Sequence, residues 1–559
     1  MKTILCSVAF CFITSMGFSQ FQHTFGTEKS EMGRSLTQLQ QVERGYLIAG
    51  YTSKNFIGSL EATLVKTDLN GNQIWSRVYG GQDYEYFNSV RQSTFFSPNN
   101  RTAYVAAGIT RSFGFGGGDA YLMGADTNGA LVFSAVYGGQ QYDAAHCVQN
   151  NREVTGKPGY ILVGETRSYT AFPGANVYVV KTDLQGNLIR ATVIGGKGDQ
   201  RGMWIEQTRD GGYIIAGSTT NYWCGVSTTL ANPPTDLFVI KLKPDLTIEW
   251  NRILGYPNEL DPTMGYRNVA TCVKQDRNGN YVLTGYTNSF GINNSYDAFL
   301  LYLDGGGNFL GMKTYGTERT ELGFSLEETF DSAGNQRFTV VGQQVISSRK
   351  AMLFQTDAGG TLQWAREYGY DKQEGGMEMV TDTYDKGFAF TGYTTSFGAG
   401  ATEIYLVETT DTGKTGTICE KEIDLKEIKH EPCIAKSAQQ IFVDEYRRIE
   451  HPAIRVEYKE DLCKKSKVGL TTEEAKPLET DVVLFPNPVN NLLTLDVEKT
   501  FAVTKVEVFD VHGKMVIQNA EPGQKGKIVL ATEGLQPGMY IVKLRTQNGE
   551  TRMMKFLKK

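Results

Sequence analysis

Histidine is scarce in this chain of 559 residues. There are five, His23, His146, His430, His451 and His512, and none stands at metal-ligand spacing from another histidine or from a cysteine. The compact catalytic signatures are missing too: no Gly-x-Ser-x-Gly, P-loop or HExxH sequence occurs. The glycine run FGFGGGDA lacks the strand-to-helix context of a phosphate loop, so neither a cofactor nor a metal is expected. There is no basic stripe. The 56 Lys and Arg stand against 61 Asp and Glu for a net charge of −5, which gives nucleic acid no electrostatic footprint. Long apolar helical stripes are absent, and beyond the first twenty residues no apolar run is long enough to cross a bilayer as a helix.

What the chain does hold is glycine, at 62 residues, with 29 Tyr and 29 Phe. That balance points to an all-β protein with many tight turns. The opening MKTILCSVAFCFITSMGFSQ has one Lys, an apolar run, and small residues Gly17 and Ser19 ahead of Gln20. This is the pattern of a secretory signal peptide over 1–19, with cleavage expected between Ser19 and Gln20. Acylation at Cys6 or Cys11 would leave too little apolar segment for a lipoprotein signal. Cys147 and Cys272 hold matching places in two repeats and read as packing thiols. Cys419, Cys433 and Cys463 lie close together, so one disulfide among them is plausible in an exported chain, with its pairing open.

Internal repeats decide the fold. A GYxxxG element at 45–50 recurs, with variation, at 103–108, 159–164, 212–217, 280–285, 337–342 and 387–392, seven times in all. Each unit reads as four short β runs, in the first copy Ser35–Gln41, Tyr46–Tyr51, Thr63–Asp68 and Gln73–Tyr79. An Asp-x-x-Gly hairpin turn, as in Asp68–Gly71, joins the third run to the fourth. Six units end in an aromatic or aliphatic residue followed by glycine, such as Tyr79-Gly80, and the seventh lacks this ending. Phe25-Gly26 supplies it: FQHTFGTEKSEMGRSL at 21–36 matches GMKTYGTERTELGFSL at 311–326 in eight of sixteen positions. Four strands per unit and seven units predict a seven-bladed β-propeller over 20–418. Residues 21–27 would close it as the outer strand of the seventh blade. An open solenoid is the rival, but complementary half-repeats at the two ends argue for closure.

Two columns recur on the connection between the second and third strands. Glu61, Asp119, Asn176, Asp236, Asp297, Lys350 and Glu403 sit just before the third strand. Phe113, Tyr169, Tyr222, Phe290 and Phe397 follow the second. On one reading they form a rim that binds a glycan or peptide by stacking and hydrogen bonds. On the other, the aromatics pack between blades and the acids cap backbone N–H groups. The sixth unit breaks both columns with VISSRK and Lys350, which would place the asymmetry of any binding site near blade six. DLNGN at 68–72 has no acid at the bidentate position of a calcium loop and reads as a hairpin.

DAYLMGADTNGALVFSAVYGG (119–139) and NVYVVKTDLQGNLIRATVIGG (176–196) resemble the β-propeller repeats of exported bacterial proteins, which implies a fold and no single activity. Residues 420–467 carry 22 charges in 48 positions, eleven of each sign, and 419–479 reads as a solvated linker. From 480 to 559 a fresh β pattern predicts a small Ig-like sandwich. It opens on FPNP (Phe485, Pro486, Asn487, Pro488), continues through VEVFDVHGKMV with Gly513 and LQPGMYIVKL with Gly538 and Tyr540, and ends in Lys555, Lys558 and Lys559. Those motifs in that order resemble the type A C-terminal sorting domain of type IX secretion substrates of Bacteroidota. The resemblance implies passage through an outer-membrane translocon as its partner machinery. It also implies removal of the domain by a cut in the linker before Val482.

The function expected is therefore an exported, cell-surface or secreted binding protein, with a surface glycan, peptide or surface protein as ligand and no nucleic acid. An extracellular hydrolase or lyase using rim carboxylates, and a structural subunit of an outer-membrane assembly, are the alternatives.

Overall fold

The computed structural model describes residues 20–441 apart from 41–42, 54–58, 96–100, 153–157, 171–172, 221–233, 256–265, 346, 384–385, 399–400, 418, 431–432 and 436–438. It also describes 482–559 apart from 486–488, 498–502, 511–514, 520–526 and 547–550. The signal-peptide expectation and Tyr222 lie outside these residues. The chain divides into two compact units, 1–468 and 469–559, and both are built of strands.

The first unit holds seven antiparallel sheets, one per sequence repeat. Sheet one is Glu31–Leu39, Gly45–Ser53, Leu60–Thr67 and Gln73–Tyr79, close to the runs read from sequence. The first strands of sheets two to seven are Glu85–Gln92, Asp143–Asn151, Gln200–Gln207, Asn268–Gln275, Thr320–Phe330 and Glu374–Thr381. Each first strand packs beside that of the next sheet, and that of sheet seven packs beside that of sheet one.

The repeated residues are the ones that tie neighbouring sheets. The tyrosine of GYxxxG is buried and its hydroxyl reaches the preceding sheet: Tyr46 donates to Asp382 at 2.6 Å and Glu408 at 2.9 Å, and Tyr213 donates to Asn151 at 2.7 Å. The tyrosine that ends a unit reaches the following one. Tyr79, Tyr137, Tyr315 and Tyr368 donate to the carbonyls of Gly129, Gly186, Gly360 and Gly413 at 2.5–2.6 Å. Those carbonyls belong to glycines at φ 73–77°, the left-handed bend that the turn requires. Every first strand also has a bulge at one equivalent position. Its extra residue can bridge onward, as His146 does through Nδ1 to the carbonyl of Gly202 at 2.9 Å.

Sheet seven takes its fourth strand from the other end of the unit. Gln22–Phe25 pairs antiparallel with Glu403–Thr409, aligning Gln22 with Val407 and Phe25 with Ile404. His23 then bonds the carbonyl of Gly71 in the sheet-one hairpin at 2.9 Å, so this junction is tied like the others.

The charged segment departs from expectation over its first part. Residues read as a solvated linker form four short strands instead: Glu420–Glu422, Lys426–His430, Cys433–Ala435 and Gln439–Ile441. They add a fifth, antiparallel strand to sheets six, five, four and three in turn. A strand on an outermost edge needs a partner on one side only and keeps charged side chains in water. Alternating apolar residues are not required, so composition hid the strap. Cys419, just before it, is a buried free thiol; Cys147 and Cys272, in the first strands of sheets three and five, are buried and free as well. The expected partners Cys433 and Cys463 have side chains outside the described set.

The second unit packs a sheet of Val482–Phe485, Leu492–Val497 and Lys527–Ala531 with one of Val503–Asp510, Met515–Asn519, Gly538–Thr546 and Thr551–Lys558. Both contribute to one core that includes Leu493, Leu495, Val508, Ile528, Val542 and Phe556.

Candidate functional site

The expected rim residues lie inside the structure rather than on an open surface. Glu61, Asp119, Asn176, Asp236, Asp297 and Glu403 are all buried, at 8% exposure or less. Asp119 accepts the amide of Phe115 at 3.0 Å, and Asp297 accepts the amide of Ile292 at 3.3 Å and the Ser295 hydroxyl at 3.1 Å. The aromatics fold back onto the same junctions. Tyr169 donates to the carbonyl of Gly138 at 2.7 Å, and Phe113 packs on Tyr121. Phe290 packs on His430 of the strap, and Phe397 packs between Tyr370 and Tyr405.

A second column, missed in the sequence, faces the first. A residue at the start of each first strand, the first or, in sheet six, the second, is polar and buried: Glu31, Glu85, Asp143, Gln200, Asn268, Glu321 and Glu374. Glu85, Asp143, Gln200 and Glu321 accept the amide four positions earlier, from Gly81, Gly139, Gly196 and Thr317, at 2.8–3.0 Å. The glycine ending each unit lies between the columns. A Cβ added at Gly138 would run into Asp119 and Asp143, one at Gly195 into Asn176 and Gln200, and one at Gly26 into Glu403 and Glu31. Burial, with the neighbouring Asp143, pushes the Asp119 carboxyl up to about 6. Burial lifts Asp236 to about 6, and burial with Glu321 nearby lifts Asp297 to about 7. At the sixth unit Lys350 replaces the acid and forms a buried ion pair with Glu374 at 2.7 Å. It also donates to the carbonyls of Tyr370 and Lys372 at 2.7 and 2.9 Å. The irregularity of unit six is thus a complementary charge within a junction.

The first strands converge on a different constellation. One equivalent position in each, opposite the residue that follows the GYxxxG aromatic, carries Thr37, Arg91, Gln149, Glu206, Lys274, Glu327 and Val380 in order. These residues, with Glu378, line a polar cavity of about 480 Å³. Lys274 lies 3.1 Å from Glu327 and 3.6 Å from Glu206, and Arg91 lies 2.9 Å from Glu378. Arg91 also donates to Gln149 at 3.0 Å. Both cations stand over the Trp204 ring, 5.1 and 5.6 Å from its centre. Burial pushes the Glu206 and Glu378 carboxyls up, opposed by Lys274 and by Arg91 respectively. Burial alone would lower Lys274, but the Glu327 and Glu206 carboxylates reverse that and hold it charged. Only glutamate occurs twice among the seven, so repeat alignment gives no signal for this site.

In the second unit Phe485 ends its strand opposite Thr494, and Tyr540 donates to the carbonyl of Gln536 at 2.8 Å while stacking on Phe556. Gly538 stands opposite Lys558 and Ile541 opposite Lys555. Pro486, Asn487, Pro488 and Gly513 lie outside the described residues.

No curated protein matches the chain. Among solved structures, Sqt1 from Chaetomium thermophilum is 11% identical with a TM-score of 0.38, over 70% of this chain and 98% of that one. The extracellular domain of BT4673 from B. thetaiotaomicron is 10% identical at 0.15, over 94% and 73%. A tetra-tandem repeat in the extending region of a large adhesion protein is 10% identical at 0.11, over 95% and 99%. These scores are too low to establish a shared fold. Residues 483–559 match the family described as secretion system C-terminal sorting domain. The chain ends in a type IX sorting domain that engages the secretion machinery and directs export across the outer membrane to a secreted or cell-surface location.

Proposed function

We propose that residues 20–418 form a seven-bladed β-propeller closed by its N-terminal strand, and that this ring is a binding module delivered outside the cell. Residues 480–559 are read as an Ig-like sandwich of type A, removed by a cut in the linker before Val482. The observation that carries the binding reading is the polar cavity to which the first strands of all seven sheets contribute. A ring of sheets tied at every junction is a rigid frame, and charged side chains presented inside such a frame lose little freedom when a ligand docks. The carboxyl pairs at the junctions are taken up in holding sheets together, which favours binding over hydrolysis.

The test uses residues 20–559 on a glycan array and in capture from the cell surface, with product analysis alongside. Saturable capture without turnover is expected. Turnover abolished by changing one carboxylate would replace the binding reading with an enzymatic one.

A further inference from the structure

We propose that the cavity lined by the first strands binds a small zwitterion carrying a protonated amine and a carboxylate, of the class of a free amino acid or short peptide. This rests on the binding reading above and names its ligand.

The charge pattern makes the assignment. Five ionisable groups of the lining, Arg91, Lys274, Glu206, Glu327 and Glu378, form one partly buried cluster. Three carboxylates face two cations, so one negative charge is unmatched. Lys274 is shared between Glu206, which also accepts the Gln275 amide at 3.2 Å, and Glu327, so one ammonium serves two carboxylates. A protonated amine entering beside Glu327 supplies the missing charge and hydrogen-bond donors. An anion alone would meet excess negative charge, and an apolar ligand would strand these groups without water. The lining has one further ion, Arg152, which is exposed. Its guanidinium gives a carboxylate a partner at the solvent side. Gln149 and Asn150 add amide groups between the two ends. Thr37 and Val380, from sheets one and seven, are the smaller, uncharged members of the ring of equivalent positions and give the ligand space.

The cavity volume of about 480 Å³ lies in the range of small-molecule sites and suits a compact polar ligand. Arg91 and Lys274 are held in place by their carboxylates and by Trp204, so the charges are fixed before a ligand arrives.

Calorimetric titration of residues 20–559 with glycine, lysine and alanyl-alanine tests the proposal, with putrescine and succinate as probes whose charges are of one sign only. Saturable binding of at least one zwitterion is expected, with both one-sign probes at least tenfold weaker. Glu327→Gln should weaken zwitterion binding at least tenfold and Arg152→Ala severalfold. Glu327 is ion-paired, so Thr37→Arg serves as the second variant: it fills the cavity from sheet one and leaves every ion-paired residue in the sequence. It should abolish binding in a protein that melts like the wild type. Absence of zwitterion binding at millimolar concentration, equal binding of putrescine, or binding that survives Thr37→Arg would each overturn the proposal. Surface capture by the same protein would still stand in those cases, which separates failure of this ligand class from failure of the binding reading.

Discussion

At the scale of single residues, several junctions between sheets hold a buried carboxyl whose charge is avoided. Raised carboxyls such as Asp297 and Asp236 favour the protonated form in the folded chain. A folded pKa above the unfolded one contributes stability that is complete below about pH 4 and lost as pH climbs through about 6 to 7. Thermal melts should therefore decline between those limits. Asp297→Asn, which imitates the natural Asn176, should flatten the decline and raise stability at pH 8 by about 1–3 kcal/mol. A melt curve of Asp297→Asn parallel to wild type across that window would contradict the buried-carboxyl account. At the sixth junction a buried cation faces the carboxylate. Lys350→Ala leaves Glu374 buried without its cation and should cost about 3–5 kcal/mol in chemical denaturation. Adding Glu374→Gln should recover most of that loss, because an amide can be buried with hydrogen bonds alone. If the double variant is no more stable than the single one, the ion pair is not what the site needs.

At the scale of strands and sheets, the seam and the strap depend on the same property, the unpaired edge. Residues 21 to 27 were legible as the missing end of a repeat because the Phe25-Gly26 ending and the Thr27–Glu31 spacing copy Tyr315-Gly316 and Thr317–Glu321. Both copies even bond alike, with Thr27 and Thr317 each donating from Oγ1 to the glutamate at 2.7 Å. Removing residues 21–27 bares the edge of Glu403–Thr409 and should drive self-association, read by sedimentation. A monomeric, fully stable deletion would show that the N-terminal strand is dispensable. The strap left no such trace. Its strands are three to five residues long and its charges face water, so neither alternation nor length marked it. The cavity was hidden for the opposite reason. Its residues share a position in seven strands, but the side chain there changes from threonine to arginine to glutamate to valine. The rim columns were visible because they repeat, and they repeat because every junction needs the same bonds.

At the scale of the whole molecule, the chain joins two kinds of information. The first unit is a frame whose repeated residues hold it and whose unrepeated residues line its cavity. The second is an address, carried by residues 483–559 and legible from motif order alone. Its strands pack around their own core, so loss of the address should leave the first unit folded. The most direct measurement is the location of the chain with and without residues 480–559, by fractionation of the native host and immunoblotting. The account predicts the full chain outside the outer membrane and the truncated chain folded in the periplasm. Delivery of the truncated chain to the surface or medium at the normal level would contradict it.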